Sequence, residues 1–446
     1  MTLETTPIQA ELTWGRRLAP IIFAQAFLWL TFVLFAFGPW RWPLRNASEL
    51  WLFICAAHVS ILLGYLSVAH KAPKESLTIK FNADKLLKAS LWITFVMLPL
   101  TCYARTGTWI PDILGSLRDS GKAYADAHEF TENSSNFASY LRIIGSPWLV
   151  VLFPLGFYFR RQLSTGYWVL LLAAMFAVIL MSIATGQRRD IADLMVTIPF
   201  IVAASHLSGK SRMKRRTIMA GIATILVAIV AFTSYFTYSH VSRVGKQTAS
   251  YGANPATRML PDLENGILQA FPEEIQPGML GLINYLATGY YGLGLAMDRP
   301  NEPMYGMGHS MFITRNFERL INDESFESKS LPVQISDKDG FRYPVLWCTA
   351  YPYFANDLGF IGTVVMLFFI GRGLASTWID ILGGKNPSAV VFFSLLMIFV
   401  FYLPATNRML QDGEGVVSFY SWLIIYLGSR FVLRPISSQT PTLQSA

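Results

Sequence analysis

The chain has 446 residues, 53% hydrophobic and only 14% charged, with a formal net charge of +8. Soluble globular proteins carry about 25% charged residues, so this balance excludes an ordinary soluble enzyme. Apolar runs of about 17–23 residues recur along the chain, long enough to cross roughly 30 Å of hydrocarbon, where a backbone satisfies its own hydrogen bonds as helix. The short alternating segments of a membrane barrel are absent. The sequence therefore predicts an all-α polytopic membrane protein with about ten transmembrane helices.

In chain order the predicted spans are 19–37, 50–69, 89–103, 143–159, 167–185, 191–206, 218–238, 354–370, 389–403 and 416–431. The third contains Pro99 and the fourth Pro154, which neighbouring helices tolerate by re-satisfying the freed carbonyl. No small-x-small cleavage site follows the first apolar stretch, so it reads as an uncleaved helix. The chain divides into 1–238 with seven spans, a long loop at 239–353, and 354–446 with three spans and a tail.

Short loops rich in Lys and Arg stay in the cytoplasm. Lys71, Lys74, Lys80, Lys85 and Lys88 follow the second span, and Arg160 and Arg161 the fourth. Lys210, Arg212, Lys214, Arg215 and Arg216 follow the sixth. These clusters put both termini in the cytoplasm and make the positive charge a matter of topology, not of nucleic acid. The segment 278–297 is apolar enough for a further span. Gly278, Gly281, Gly289, Gly292, Gly294 and Asn284 suit a re-entrant or interfacial helix better.

Two short external loops carry arginine: Arg188 and Arg189 in 186–190, and Arg408, close to Asp412 and Glu414, in 404–415. Arginine at mid-bilayer costs about 2.5–3.5 kcal/mol, so it faces a polar cavity and has a partner. Its planar fork of donors suits the oxygens of a lipid-linked phosphate or pyrophosphate. Pairing with Asp190 and Asp412 is the plainer alternative.

The long loop is expected to hold helices at 261–271, broken by Pro272, and at 314–322. Tyr285, Tyr290 and Tyr291 offer aromatic faces for sugar rings, or sit in an interfacial belt. His309 lies in a Gly-rich bend and is a candidate acid or base, or a hydrogen-bonded structural residue. Cys55, Cys102 and Cys348 show no metal spacing, and the position of Cys102 and Cys348 near one face leaves a disulfide open. No metal signature is visible, and neither metal nor other cofactor is expected.

The stretch 351–373, YPYFANDLGFIGTVVMLFFIGRG, has an aromatic approach, then Asp357-Leu358-Gly359, then a span ending in glycine. With Tyr285–Gly289, Tyr305-Gly306 and Thr185–Arg188, it resembles the O-antigen polymerase family of oligosaccharide repeat-unit polymerases. The family tends to have Asp-Phe-Gly where this chain has Asp-Leu-Gly, and its Asn-Val-Tyr-Thr is degraded here to a region with Cys348-Thr349. The resemblance covers the second half of the chain and the third external loop. It implies a GT-C-like fold in the bacterial inner membrane that polymerises undecaprenyl-pyrophosphate-linked oligosaccharide, among membrane lipids and with a chain-length regulator as partner. Arg188, Arg189 and Arg408 would bind the pyrophosphate. Asp357, then His309, would be the base. Tyr285, Tyr290, Tyr291, Asn356 and Glu414 would contact sugar or support the site. An N-cap of the eighth span is the structural alternative for Asp357, shared by Asn356. An O-antigen ligase differs only in acceptor. A transporter would need internal repeats and midplane charges, which are absent, and a purely structural subunit would need neither the arginines nor the aromatic loop.

Overall fold

The computed structural model describes residues 13–72, 82–133, 137–211, 213–245, 249, 252–323, 325–343, 345–384 and 386–430. Among them the chain is helical and free of strands. Eight helices are long and apolar enough to cross a membrane, which makes this a multi-pass membrane protein. They are α1 (Trp14–Phe37), α2 (Ala47–Ala69), α3 (Ala83–Thr106), the stretch Phe137–Tyr158, α8 (Thr165–Ala184), α9 (Arg189–Leu207), α10 (from Arg215) and α16 (Tyr351–Gly383). Two more apolar helices, α17 (Pro387–Tyr402) and α18 (Gly413–Arg430), pack beside them.

The fourth predicted span is broken into α6 (Phe137–Leu149) and α7 (Leu152–Tyr158). Pro154 explains the break, because its ring meets the Val150 carbonyl and it has no N–H to donate there. Helix α10 runs on to Val244, six residues past its predicted end. The long loop folds into α11 (Gly266–Gln269), α12 (Gln276–Met297), α13 (Met311–Ile321), α14 (Ser325–Ser328) and α15 (Leu331–Asp339). The helix expected at 261–271 is thus a single turn. The one expected at 314–322 starts three residues earlier, where Ser310 accepts from the Ile313 N–H at 3.3 Å. Helices α4 (Ile113–Arg118) and α5 (Ser120–Asn133), unforeseen, fill the connection after α3.

Helix ends gather at two poles. At the base, Arg17 donates to the Ala69 carbonyl at 2.8 Å, Trp378 to the Arg16 carbonyl at 2.8 Å, and Tyr158 to the Ile381 carbonyl at 3.0 Å. At the crown, ion pairs join the end of α3 to the start of α9 and α6 to the start of α18. The cations Lys71, Arg160, Arg161, Lys210, Arg215 and Arg216 adjoin helix ends at the base. Lys74, Lys80 and Arg212 lie outside the described residues.

Helix α12 lies across the crown. Near one end Trp40 donates to the Leu280 carbonyl at 3.1 Å, and near the other Asn46 donates to the Gly294 carbonyl at 2.9 Å. Both donors belong to the same connection between α1 and α2, so α12 returns to the pole it started from. The tightest helix pair is α2 on α16. A Cβ at Gly64 would collide with the Phe368 carbonyl and one at Gly371 with the Ile61 carbonyl, the close approach that small residues permit in membranes. Helix α10 is the opposite case: no residue of its most apolar stretch is buried, so it stands off from the bundle.

Candidate functional site

The first turn of α9 brings Asp190 and Asp193 to one face, three residues apart. Around them the crown collects four guanidinium and four carboxylate groups. Arg105, at the end of α3, pairs closely with Asp190. Arg142 pairs with Glu414 at 2.6 Å, and Arg408 with both Asp193 and Asp412 at 3.1 Å. Arg189 stands 3.7 Å from Asp412 and 3.9 Å from Asp190. Burial opposes the Arg408 charge, yet Asp193, Asp412 and Asp190 together hold its pKa above the ordinary arginine value. Burial likewise works against the Asp412 carboxylate, but Arg408 and Arg189 keep its pKa below the usual range.

The cluster is balanced in charge and incomplete in hydrogen bonds. Arg142 Nε and Nη1, Arg189 Nε, Arg408 Nε and Asp193 Oδ1 are buried with no hydrogen-bond partner among the described residues. Arg188 takes a different course, donating to Ser239 Oγ at 2.9 Å and lying 4.2 Å over the Phe236 ring.

Two cavities flank this cluster. The larger, about 610 Å³, has Arg188, Arg189 and Gln187 on one wall and Tyr285, Trp347, Tyr124 and His128 around it. Apolar side chains, among them Phe27 of α1, Val196 of α9, Phe232 and Phe236 of α10 and Phe401 of α17, line it too, with Asn284, Thr288, Tyr402 and Gln411. Tyr285 and Trp347 meet edge to face at 5.4 Å. The smaller cavity, about 250 Å³, is lined by Arg105, Arg142, Asp190, Asp193, Arg408 and Glu414 at its polar end. Arg408 therefore faces away from Arg188, although both were expected at one phosphate.

Asp357 and His309 do come together, 3.0 Å apart through Oδ2 and Nδ1, but line neither cavity. The Asp357 carboxylate also accepts from the backbone N–H groups of Gly306 at 2.8 Å, Gly308 at 3.0 Å and His309 at 2.8 Å. His309 Nε2 meets the Tyr420 hydroxyl at 2.7 Å, so with Nδ1 donating to Asp357 it accepts from the tyrosine. Asn356 donates to the Gly308 carbonyl at 3.0 Å and accepts from the Leu331 N–H at 2.9 Å. The carboxylate caps the 304–309 bend, not the helix that bears it. Two residues later, Gly359 breaks α16 at φ 68° and ψ 169°, a conformation that favours glycine. The Asp-Leu-Gly triplet is thus a clamp and a kink, and the expected base role of Asp357 and His309 meets two groups already engaged on both sides.

Tyr290 and Tyr291 also depart from expectation. Tyr290 is fully buried with its hydroxyl 3.0 Å from Thr31, and Tyr291 packs on Trp42 and Phe341. Because α12 is one continuous helix, residues five and six positions beyond Tyr285 point to other sides. Cys55, Cys102 and Cys348 are free thiols, so no disulfide joins Cys102 to Cys348. Arg105, Arg142 and Asp193 went unsingled in the sequence, although the wrong-side arginine argument applies to Arg105 and Arg142 as fully as to Arg188. No family model, curated protein or solved structure matches the chain.

Proposed function

We propose that this protein is a membrane glycosyltransferase that polymerises undecaprenyl-pyrophosphate-linked oligosaccharide repeat units. One observation carries the reading: two adjacent arginines line the larger cavity together with tyrosine, tryptophan and histidine side chains and a set of apolar ones. A lipid-linked pyrophosphate sugar has a part for each. The pyrophosphate takes the Arg188 and Arg189 forks, whose fixed donors suit its oxygens. Sugars stack on Tyr285 and Trp347. The isoprenoid follows Phe27, Phe232, Phe236 and Phe401, entering from the membrane beside the detached α10.

In the transfer, the bond from the anomeric carbon to the pyrophosphate oxygen breaks and one to the acceptor hydroxyl oxygen forms. The leaving pyrophosphate gains charge beside Arg188 and Arg189, which stabilise it electrostatically. Arg408 positions Arg189 through the Asp412 they share. His128, the imidazole lining the cavity, takes the acceptor's proton. The basic pole faces the cytoplasm and the crown the outer side of the bacterial inner membrane, with ten crossings in a GT-C-like bundle.

The test is reconstitution. Purified protein in liposomes with its host's undecaprenyl-pyrophosphate repeat unit and a chain-length regulator is expected to give a ladder spaced by one repeat. Unextended but intact repeat unit overturns the polymerase. Transfer to lipid A–core in a parallel tube would then assign a ligase.

A further inference from the structure

We infer that the smaller cavity is a separate site for the singly charged head of a single-chain lipid phosphate monoester. The inference stands apart from the polymerase reading, because it rests on Arg142 and its surroundings. Arg142 is 4% exposed and fixed to Glu414 at 2.6 Å, while its Nε and Nη1 find no acceptor. Leaving buried guanidinium donors unpaired is costly, so the side chain is set for a ligand oxygen. Across the same cavity Asp193 Oδ1 is a buried acceptor that no donor meets at hydrogen-bond geometry, with the Tyr402 hydroxyl acting on the same carboxylate. A phosphate monoester monoanion supplies both, with P=O and P–O⁻ for Arg142 and P–OH for Asp193.

Charge sets the limit on the head. Arg105, Arg142 and Arg408 already face Asp190, Asp193 and Glu414 here, three cations to three carboxylates. A pyrophosphate would bring surplus negative charge into low dielectric, whereas a monoanion with its own proton adds least. Beyond the polar end the wall is apolar, with Met97, Leu98, Leu152, Phe153, Val178 and Ile398. A cavity of about 150 Å³ takes up benzene, six heavy atoms, so the space here holds about ten: the phosphate head and the first carbons of a chain whose remainder lies outside it.

The probe is decyl phosphate, titrated against the full-length protein in detergent and counted by native mass spectrometry. One molecule per chain is expected, with decanol, inorganic phosphate and decyl sulfate each binding at least ten-fold more weakly. Thr101→Phe, which fills the cavity from α3, is expected to weaken decyl phosphate at least ten-fold, as is the charge-neutral double variant R142M/E414Q. Undiminished binding to T101F overturns the site. Equal binding of inorganic phosphate removes the lipid, of decanol the anion, and of decyl sulfate the proton-donating head. Since T101F leaves every ion pair in place, it decides the matter even where the double variant fails to fold. A repeat-unit ladder with no decyl phosphate bound would leave the polymerase standing and this site refuted.

Discussion

Two polar clusters share the crown and differ in how completely they are satisfied. Around Asp357, four donors converge on one carboxylate, and His309 is engaged at both ring nitrogens. Around Asp193, charges balance but guanidinium nitrogens of Arg142, Arg189 and Arg408 remain unused. A closed network fixes geometry and has nothing left to offer a ligand. An open one, buried beside a cavity, keeps its donors for something else. The proposed function makes the first cluster scaffold and leaves the second, which holds Arg189 of the larger cavity, open to ligand, although the sequence motif draws the eye to the first.

Arg188→Ala, next to Arg189 in the larger cavity, puts the sharpest strain on the proposed site. It is expected to reduce polymerisation by about 10²–10³-fold, the scale of losing one charge-stabilising donor, with membrane insertion retained and stability lowered by only about 1 kcal/mol for the lost Ser239 hydrogen bond. Wild-type chain lengths would break the assignment. Asp357→Ala is expected to do the converse: three backbone N–H groups lose their acceptor, lowering stability by about 3 kcal/mol. Activity per folded molecule is retained, as a thermal melt and a turnover assay on one preparation would show. Gly359→Ala forces a side chain into positive φ and is expected to cost about 1–2 kcal/mol, read as a lower melting temperature. The smallest effect separates two tyrosines of one helix. Tyr290→Phe loses one buried hydrogen bond, about 1 kcal/mol of stability, and leaves chain length alone. Tyr285→Ala, on the cavity face, is expected to slow transfer about ten-fold at nearly unchanged stability.

The membrane bundle was legible because apolar length and helix are tied together by the cost of an unsatisfied backbone in lipid. Among the described residues nine of the ten predicted segments fall on single helices and the fourth on a broken pair, and the glycines of 278–297 let α12 lie across the crown. Its tyrosines were less legible, since only the phase of a continuous helix separates Tyr285 from Tyr290. The arginines of the 186–190 and 404–415 loops do gather at the crown, but their partners could not be read, because Arg142 and Glu414 are 272 residues apart. Asp357 misled for a related reason. An acidic residue before a glycine advertises chemistry, while the three N–H groups that consume it lie some fifty residues upstream.

The most direct test sets Arg188→Ala beside Asp357→Asn in one experiment, measuring folded fraction and repeat-unit ladder for each. Expected are a folded R188A protein whose ladder is cut by about 10²–10³-fold, and a destabilised D357N protein whose folded molecules make chains of wild-type length. A stable D357N protein that makes no ladder, beside an R188A protein that polymerises normally, would place the chemistry at the clamp and contradict it.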